Sequence, residues 1–177
     1  MDASVSHARS VPRRGEGIGA DRWVSIRPIE RTDALGLSDF YAGLSPESRR
    51  RRFLGCGGRS GAELARAFTA RDGEGFVAIL SEPGPTDGAV VGHGSLQPDG
   101  LGGAEVAFVV ADELQGCGIG RRLMDAVVAE ARATGLHRLS ATLFADNAPM
   151  RRLLRGTGRP VASDAIDTGV EEIVLAV

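Results

Sequence analysis

The sequence predicts a single mixed domain of the α/β (α+β) class over residues 22–177, on three observations. Between residues 75 and 110, three short apolar runs are separated by turn-forming clusters, the signature of an antiparallel meander. From Leu123 the apolar period switches to that of a helix. A strand, a short capped helix and more strand material follow, and 177 residues suit one core.

Each element has its own signal. Residues 1–21 hold Arg9, Arg13 and Arg14 among Ser and Gly without a continuous apolar segment, which predicts a flexible tail and no secretory signal. Trp23 to Ile29 alternates Val24, Ile26 and Pro28 against Ser25 and Arg27, a strand pattern. Thr32 or Asp33 caps a helix carrying Leu35, Leu37, Phe40, Tyr41 and Leu44. Ser45-Pro46-Glu47 is a cap, a Pro at the first helical position and an acid in the first turn; Gly55, Gly57 and Gly58 end that helix. Ser60 starts another, with Leu64, Ala67 and Phe68 inward.

The meander comprises Gly75 to Leu80, Ala89 to Leu96 and Glu105 to Val110, joined by turns at 82–88 and 99–103. Leu123, Met124, Val127, Val128 and Ala131 form one face of the next helix, which Gly135 stops. Arg138 to Phe144 is a strand. Asp146 or Asn147 caps a helix holding Met150, Leu153 and Leu154, and Val161 with Glu172 to Val177 supplies the last strand material.

Composition excludes several functions. The net charge of −2 gives no field for nucleic acid or an anionic membrane, and no apolar run approaches the ~20 residues of a membrane-spanning helix. The two cysteines, Cys56 and Cys117, form no CxxC or Cys/His cluster, so no metal site is expected, and a cytoplasmic location is. All 21 basic residues are Arg.

The segment Gln115-Gly116-Cys117-Gly118-Ile119-Gly120-Arg121 carries the chemistry. Three alternating glycines stand between a strand and a helix, where backbone N–H groups lack helical partners and the helix dipole favours an anion. A dinucleotide fingerprint fails, because the third position after Gly118 is Arg121. A Walker A loop fails for want of any lysine. An anion cradle and a glycine-rich turn that binds nothing both remain on these residues alone.

With its surroundings, this run resembles the Gln/Arg-x-x-Gly-x-Gly/Ala signature of the GNAT superfamily of N-acetyltransferases. The element order of residues 23–177 agrees. Ile26-Arg27-Pro28-Ile29 and Leu44-Ser45-Pro46-Glu47-Ser48-Arg49 are similar to superfamily members that acetylate protein lysines. The resemblance implies a mostly antiparallel central sheet flanked by helices and splayed at the acetyl-CoA strand. It implies that Gln115, Gly116, Cys117, Gly118, Ile119, Gly120 and Arg121 cradle the pyrophosphate of acetyl-CoA. Phe108, Val109 and Val110 offer strand backbone to its pantetheine arm, and Asn147 contacts it from the next helix.

An amine must shed a proton before attacking a thioester, since a lysine ammonium has a pKa near 10.4. Glu105, the one charged residue in 104–111, matches the point where many family members place the base; the alternative is an exposed Glu at a strand start. Leu154 stands where many carry a Tyr that protonates the departing thiolate. Water, Ser140 or Tyr41 would then supply that proton. Arg49 to Arg52 reads as a solvated helix end, with contact to an acidic substrate or to the cofactor's 3′-phosphate as the other reading. Cys117 as an acyl carrier and His93 as a proton carrier are weaker readings than a turn cysteine and a core or surface histidine. The expected activity is acetyl transfer from acetyl-CoA to a protein lysine, the alternatives being a small amine acceptor or a non-catalytic acyl-CoA-binding module.

Overall fold

A computed structural model describes residues 22–55, 58–70, 74–157, 161–166 and 169–177, with backbone alone for 161–166. The tail expected over residues 1–21, Cys56 and Gly57 lie outside the described residues.

Seven strands form one sheet: β1 (Trp23–Pro28), β2 (Gly75–Ser81), β3 (Val90–Pro98), β4 (Gly103–Val110), β5 (Arg138–Phe144), β6 (Val161–Ile166) and β7 (Val170–Ala176). Their order is β1-β2-β3-β4-β5-β7-β6, and every neighbouring pair is antiparallel except β4 with β5. The expected final strand is thus a hairpin of two. Five helices flank the sheet: α1 (Ala34–Gly43), α2 (Pro46–Arg52), α3 (Gly61–Thr69), α4 (Ile119–Ala133) and α5 (Ala148–Arg155).

The two faces carry separate cores. On one, Ile119, Leu123, Met124, Val127, Val128 and Ala131 of α4 are all buried against Val91, Leu96, Val106, Leu139 and Leu143. Isoleucine and valine are mediocre helix formers, so this helix is held by packing, at about 1.5–3 kcal/mol for each large side chain buried. Gly94 of β3 lies beneath it, where a Cβ would stand 2.9 Å from the Phe108 ring; glycine there lets that ring cross the strand. On the other face, Leu37, Phe40 and Tyr41 of α1 and Leu64 and Ala65 of α3 cover Val77, Val90 and Val109.

Local capping follows the sequence with one exception. Ser45 Oγ accepts from Ser48 N at 3.2 Å, Ser60 and Glu63 form a capping box, and Asn147 Oδ1 accepts from Met150 N at 3.2 Å. Asp33 precedes α1 without capping it. Its carboxylate turns back to accept from Arg27 at 2.8 and 2.5 Å and from Glu30 N at 2.8 Å. Leu35, which the helix carries, is 80% exposed, because two residues along a helix turn its side chain away from the face of Leu37, Phe40 and Tyr41.

Candidate active site

The sheet opens where its one parallel pair ends. β4 and β5 pair only through Gly103↔Arg138, Ala104↔Leu139 and Glu105↔Ser140. Beyond that apex β4 keeps β3 as its partner and β5 keeps β7. A cleft of 480 Å³ follows the gap, between Ala107–Val110 on one side and Thr142 and Leu143 on the other. α5 contributes Met150, Arg152 and Leu153 to one wall; α2 contributes Ser48, Arg51 and Arg52 to the other.

The glycine run closes one end. Gly116 and Gly118 have φ of 82° and 79°, the left-handed region that glycine enters without cost. No atom lies within 4 Å of where a Cβ would stand at either, so their backbones face open space. Cys117 N bonds back to Leu114 O at 3.4 Å, and the ladder of α4 then begins with Arg122 N on Gly118 O at 3.2 Å, so the N–H groups of Gly118 to Arg121 precede that ladder as at any helix start. The geometry fits a phosphate group. Gln115 bridges the walls, its Nε2 donating to Val110 O at 3.2 Å and to Ser48 Oγ at 3.1 Å.

α2 is held differently from α4. None of its residues is buried, so polar ties fix it. The Asp112 carboxylate accepts from Ser45 N at 2.9 Å, Ser45 Oγ at 2.8 Å and Ser48 Oγ at 2.7 Å. These bonds hold its carboxyl below the usual carboxylate range against the opposing effect of desolvation. The four arginines expected as a solvated end do four different things. Arg49 donates to Tyr41 O at 2.7 Å and Arg59 O at 3.1 Å. Arg50 lies 4.2 Å over the Phe144 ring and pairs with Glu47 at 3.0 Å. Arg51 pairs with Glu47 and lines the cleft; Arg52 donates to Ser95 Oγ at 3.0 Å and lines it too.

Four guanidinium groups therefore face the cleft, Arg51, Arg52, Arg121 and Arg152, and no carboxylate lines it among the described residues. In a chain of net charge −2 this is a local concentration of positive charge. Arg121 also donates to Asp125 at 3.0 Å and to the Gly156 carbonyl.

Behind the α2 wall lies a buried polar pair. The Tyr41 hydroxyl and His93 Nδ1 are 2.8 Å apart, and both residues are fully buried. Burial pushes the Tyr41 phenol up to about 12. Burial, then the charge of Arg52, holds the His93 imidazole well below its ordinary value, so it stays neutral. Its Nε2 is buried without a partner.

Of the residues expected in the site, Phe108, Val109, Val110, Gln115, Gly116, Gly118, Gly120, Arg121 and Asn147 line the cleft. Ile119 does not: its side chain is 1% exposed, in the core that α4 packs against the sheet. The Cys117 side chain is outside the cleft lining, near Gln115 O. Glu105 is exposed at the apex of the gap, on the strand face shared with Ala107 and Val109, and not in the cleft wall. Leu154 is core, 1% exposed. Tyr41 is sealed against His93, which removes it as a proton donor in the cleft; Ser48 and Thr142 are the hydroxyls that line it. Sequence reasoning missed Ser48 and Thr142, and it read Arg51, Arg52 and Arg152 first as surface arginines, with cofactor contact as the lesser reading. Ser48 belongs to a helix whose docking depends on Asp112, 64 residues away.

Residues 40–158 match the acetyltransferase (GNAT) family. The chain belongs to that family. It is 31% identical over 142 residues to Acetyltransferase Pat of Mycolicibacterium smegmatis, a match covering 77% of this chain. The chain spans only 41% of that relative's length. The GNAT domain of S. lividans PAT superposes with a TM-score of 0.72 at 26% identity, covering 87% of this chain and 90% of that one. The yncA protein from Salmonella typhimurium, solved with its cofactor acetyl-CoA, has the same fold, with a TM-score of 0.64 at 20% identity over 87% and 92% of the two chains.

Proposed function

We propose that this GNAT domain transfers an acetyl group from acetyl-CoA to a primary amine, in the first instance a protein lysine. The observation that carries the reading is the cleft itself, which joins a glycine-lined helix start to an open strand edge and is lined by four arginines and no carboxylate. Acetyl-CoA has the matching form, a polyanionic nucleotide end and a thin amide-bearing arm. The similarity of Ile26-Arg27-Pro28-Ile29 and Leu44-Ser45-Pro46-Glu47-Ser48-Arg49 to family members that acetylate protein lysines favours a protein acceptor.

In this reading the N–H groups of Gly118 to Arg121, with the Arg121 guanidinium and the open backbone at Gly116, hold the pyrophosphate. Phe108, Val109 and Val110 present the backbone that β5 has left unpaired, so the arm completes the ladder as a strand would. Asn147 uses its oxygen to cap α5, which leaves its amide as a donor toward the same arm. When bound, the cofactor supplies an activated acetyl group. The chain's task is to deliver an uncharged amine to it. Glu105 stands at the apex of the gap, in solvent, where it takes the ammonium proton directly or through a water. The buried Leu154 offers no acid, and a thiolate leaving group requires none from the protein.

Turnover of acetyl-CoA on a lysine-peptide panel beside a small-amine panel tests the acceptor. Acetylated peptide is the expected product; turnover confined to small amines would transfer the reading to them. Glu105→Gln should lower kcat/KM at least ~10-fold with the acetyl-CoA Kd unchanged. Unaltered turnover would remove Glu105 from the role, and tight cofactor binding without turnover on any amine would make the domain a binding module.

A further inference from the structure

The acceptor end of the cleft holds a cation whose environment is unfinished. Arg52 donates through Nη2 to Ser95 Oγ at 3.0 Å, and the Tyr41 hydroxyl is a second hydrogen-bond partner of its guanidinium. Its Nε is buried without an acceptor. Two aromatic rings, Phe53 and Phe68, stand 5.2 Å from its guanidinium carbon, and neither can accept a charged hydrogen bond in the plane of the fork. Tyr41 and Glu105 act favourably on its charge, yet no carboxylate lies within ion-pair distance of it. A guanidinium carries five donors in a planar fork that matches a carboxylate. Arg52 is only half-buried, but its Nε is shut from water without an acceptor, a costly arrangement that an incoming anion would relieve.

The position separates this anion from the cofactor's phosphates. Ser95 pairs with Ala107, three residues before Val110, so Arg52 stands about 10 Å along the strand from its cleft-loop end. Glu105 lies two residues from Ala107 on the same strand face, about 7 Å in the other direction. The acceptor end thus offers one negative and one positive group side by side. A substrate with an ammonium and a neighbouring carboxylate is the complement of that pair.

We propose that Arg52 is an anion-binding residue that selects amines carrying a carboxylate beside the reacting nitrogen, namely protein lysines flanked by Asp or Glu. This rests on the acetyl-transfer reading for its meaning, but its test needs no turnover. The protein saturated with CoA, which cannot react, is titrated calorimetrically at ~50 mM salt with an Asp-Lys-Asp peptide and with its isosteric Asn-Lys-Asn counterpart. The acidic peptide should bind at least ~10-fold tighter, the order expected of a bidentate charged pair. With the protein kept saturated with CoA, Arg52→Gln should abolish most of that difference; Arg52→Lys should fall between, keeping the charge without the fork.

Equal affinity for the two peptides in the unaltered protein would overturn the proposal, and that comparison stands even if the Gln variant fails to fold. An equal loss on both peptides, or a loss of CoA affinity instead, would overturn it as well. Free lysine binding tighter than the acidic peptide, and weakened by Arg52→Gln, would reassign the anion site to a small amino acid and refute the protein-flank form. Absence of product with every amine would sink the acetyl-transfer reading and leave these affinities readable.

Discussion

The two walls of the cleft are built by opposite means. The α4 wall is a backbone device: glycines with positive φ, a helix start and an apolar face that docks the helix. The α2 wall is a side-chain device: a helix with no buried residue, tied down by Asp112 and presenting arginines. A backbone device is specified within a few residues of sequence. A side-chain device exists only when distant segments converge. The difference teaches that the glycine end of this cleft, where we propose the cofactor's phosphates bind, is local information and the arginine end is not.

Substitution at the α4 wall should have the largest effect. Gly118→Val places a β-branched residue at φ 79° and a side chain in the space that faces the anion, although nothing in the protein crowds it. Calorimetry should show acetyl-CoA binding weakened at least ~100-fold, with the fold retained by circular dichroism. Preserved binding would break the assignment of the loop. Glu105→Gln comes next, at least ~10-fold in kcat/KM without change in Kd.

The buried pair behind the α2 wall gives a pH signature. His93 is neutral in the folded chain and takes a proton near pH 6.5 once unfolded. Below that pH the unfolded state binds more protons, so stability must fall as pH falls, by up to about 1.4 kcal/mol per pH unit. Denaturant midpoints between pH 7.5 and 5 should show that slope, and His93→Gln should flatten it. An unchanged slope would mean that other groups dominate acid sensitivity.

The smallest effect should come from the latch. Asp112→Ala removes three acceptor contacts at a solvent-facing site, a net loss of about 1–2 kcal/mol measured by denaturant unfolding. Peptide KM should rise more than acetyl-CoA Kd, because α2 lines the acceptor end. A larger shift in acetyl-CoA Kd than in peptide KM would erase the division between the walls.

Most of the fold was legible. β5 runs over the residues its pattern marked, Arg138–Phe144, and Ser45, Ser60 and Asn147 cap the helices they precede. Errors arose where a side chain had a distant claim on it. Asp33 leaves its cap for Arg27, and Arg52 leaves solvent for Ser95, 43 residues on. Ile119 was counted with the cradle by position, whereas its side chain belongs to the core, because a loop that presents its backbone to a ligand is free to bury alternate side chains.

By itself the sequence determined the glycine cradle, the helix behind it and the strand that leads into it, since turn chemistry and apolar period act over fewer than about ten residues. Tertiary structure decided where β4 parts from β5, that Glu105 stands in solvent at that apex, and that Tyr41, Arg52 and His93 meet. Those depend on contacts between segments about 35 to 50 residues apart, whose closure no local pattern records.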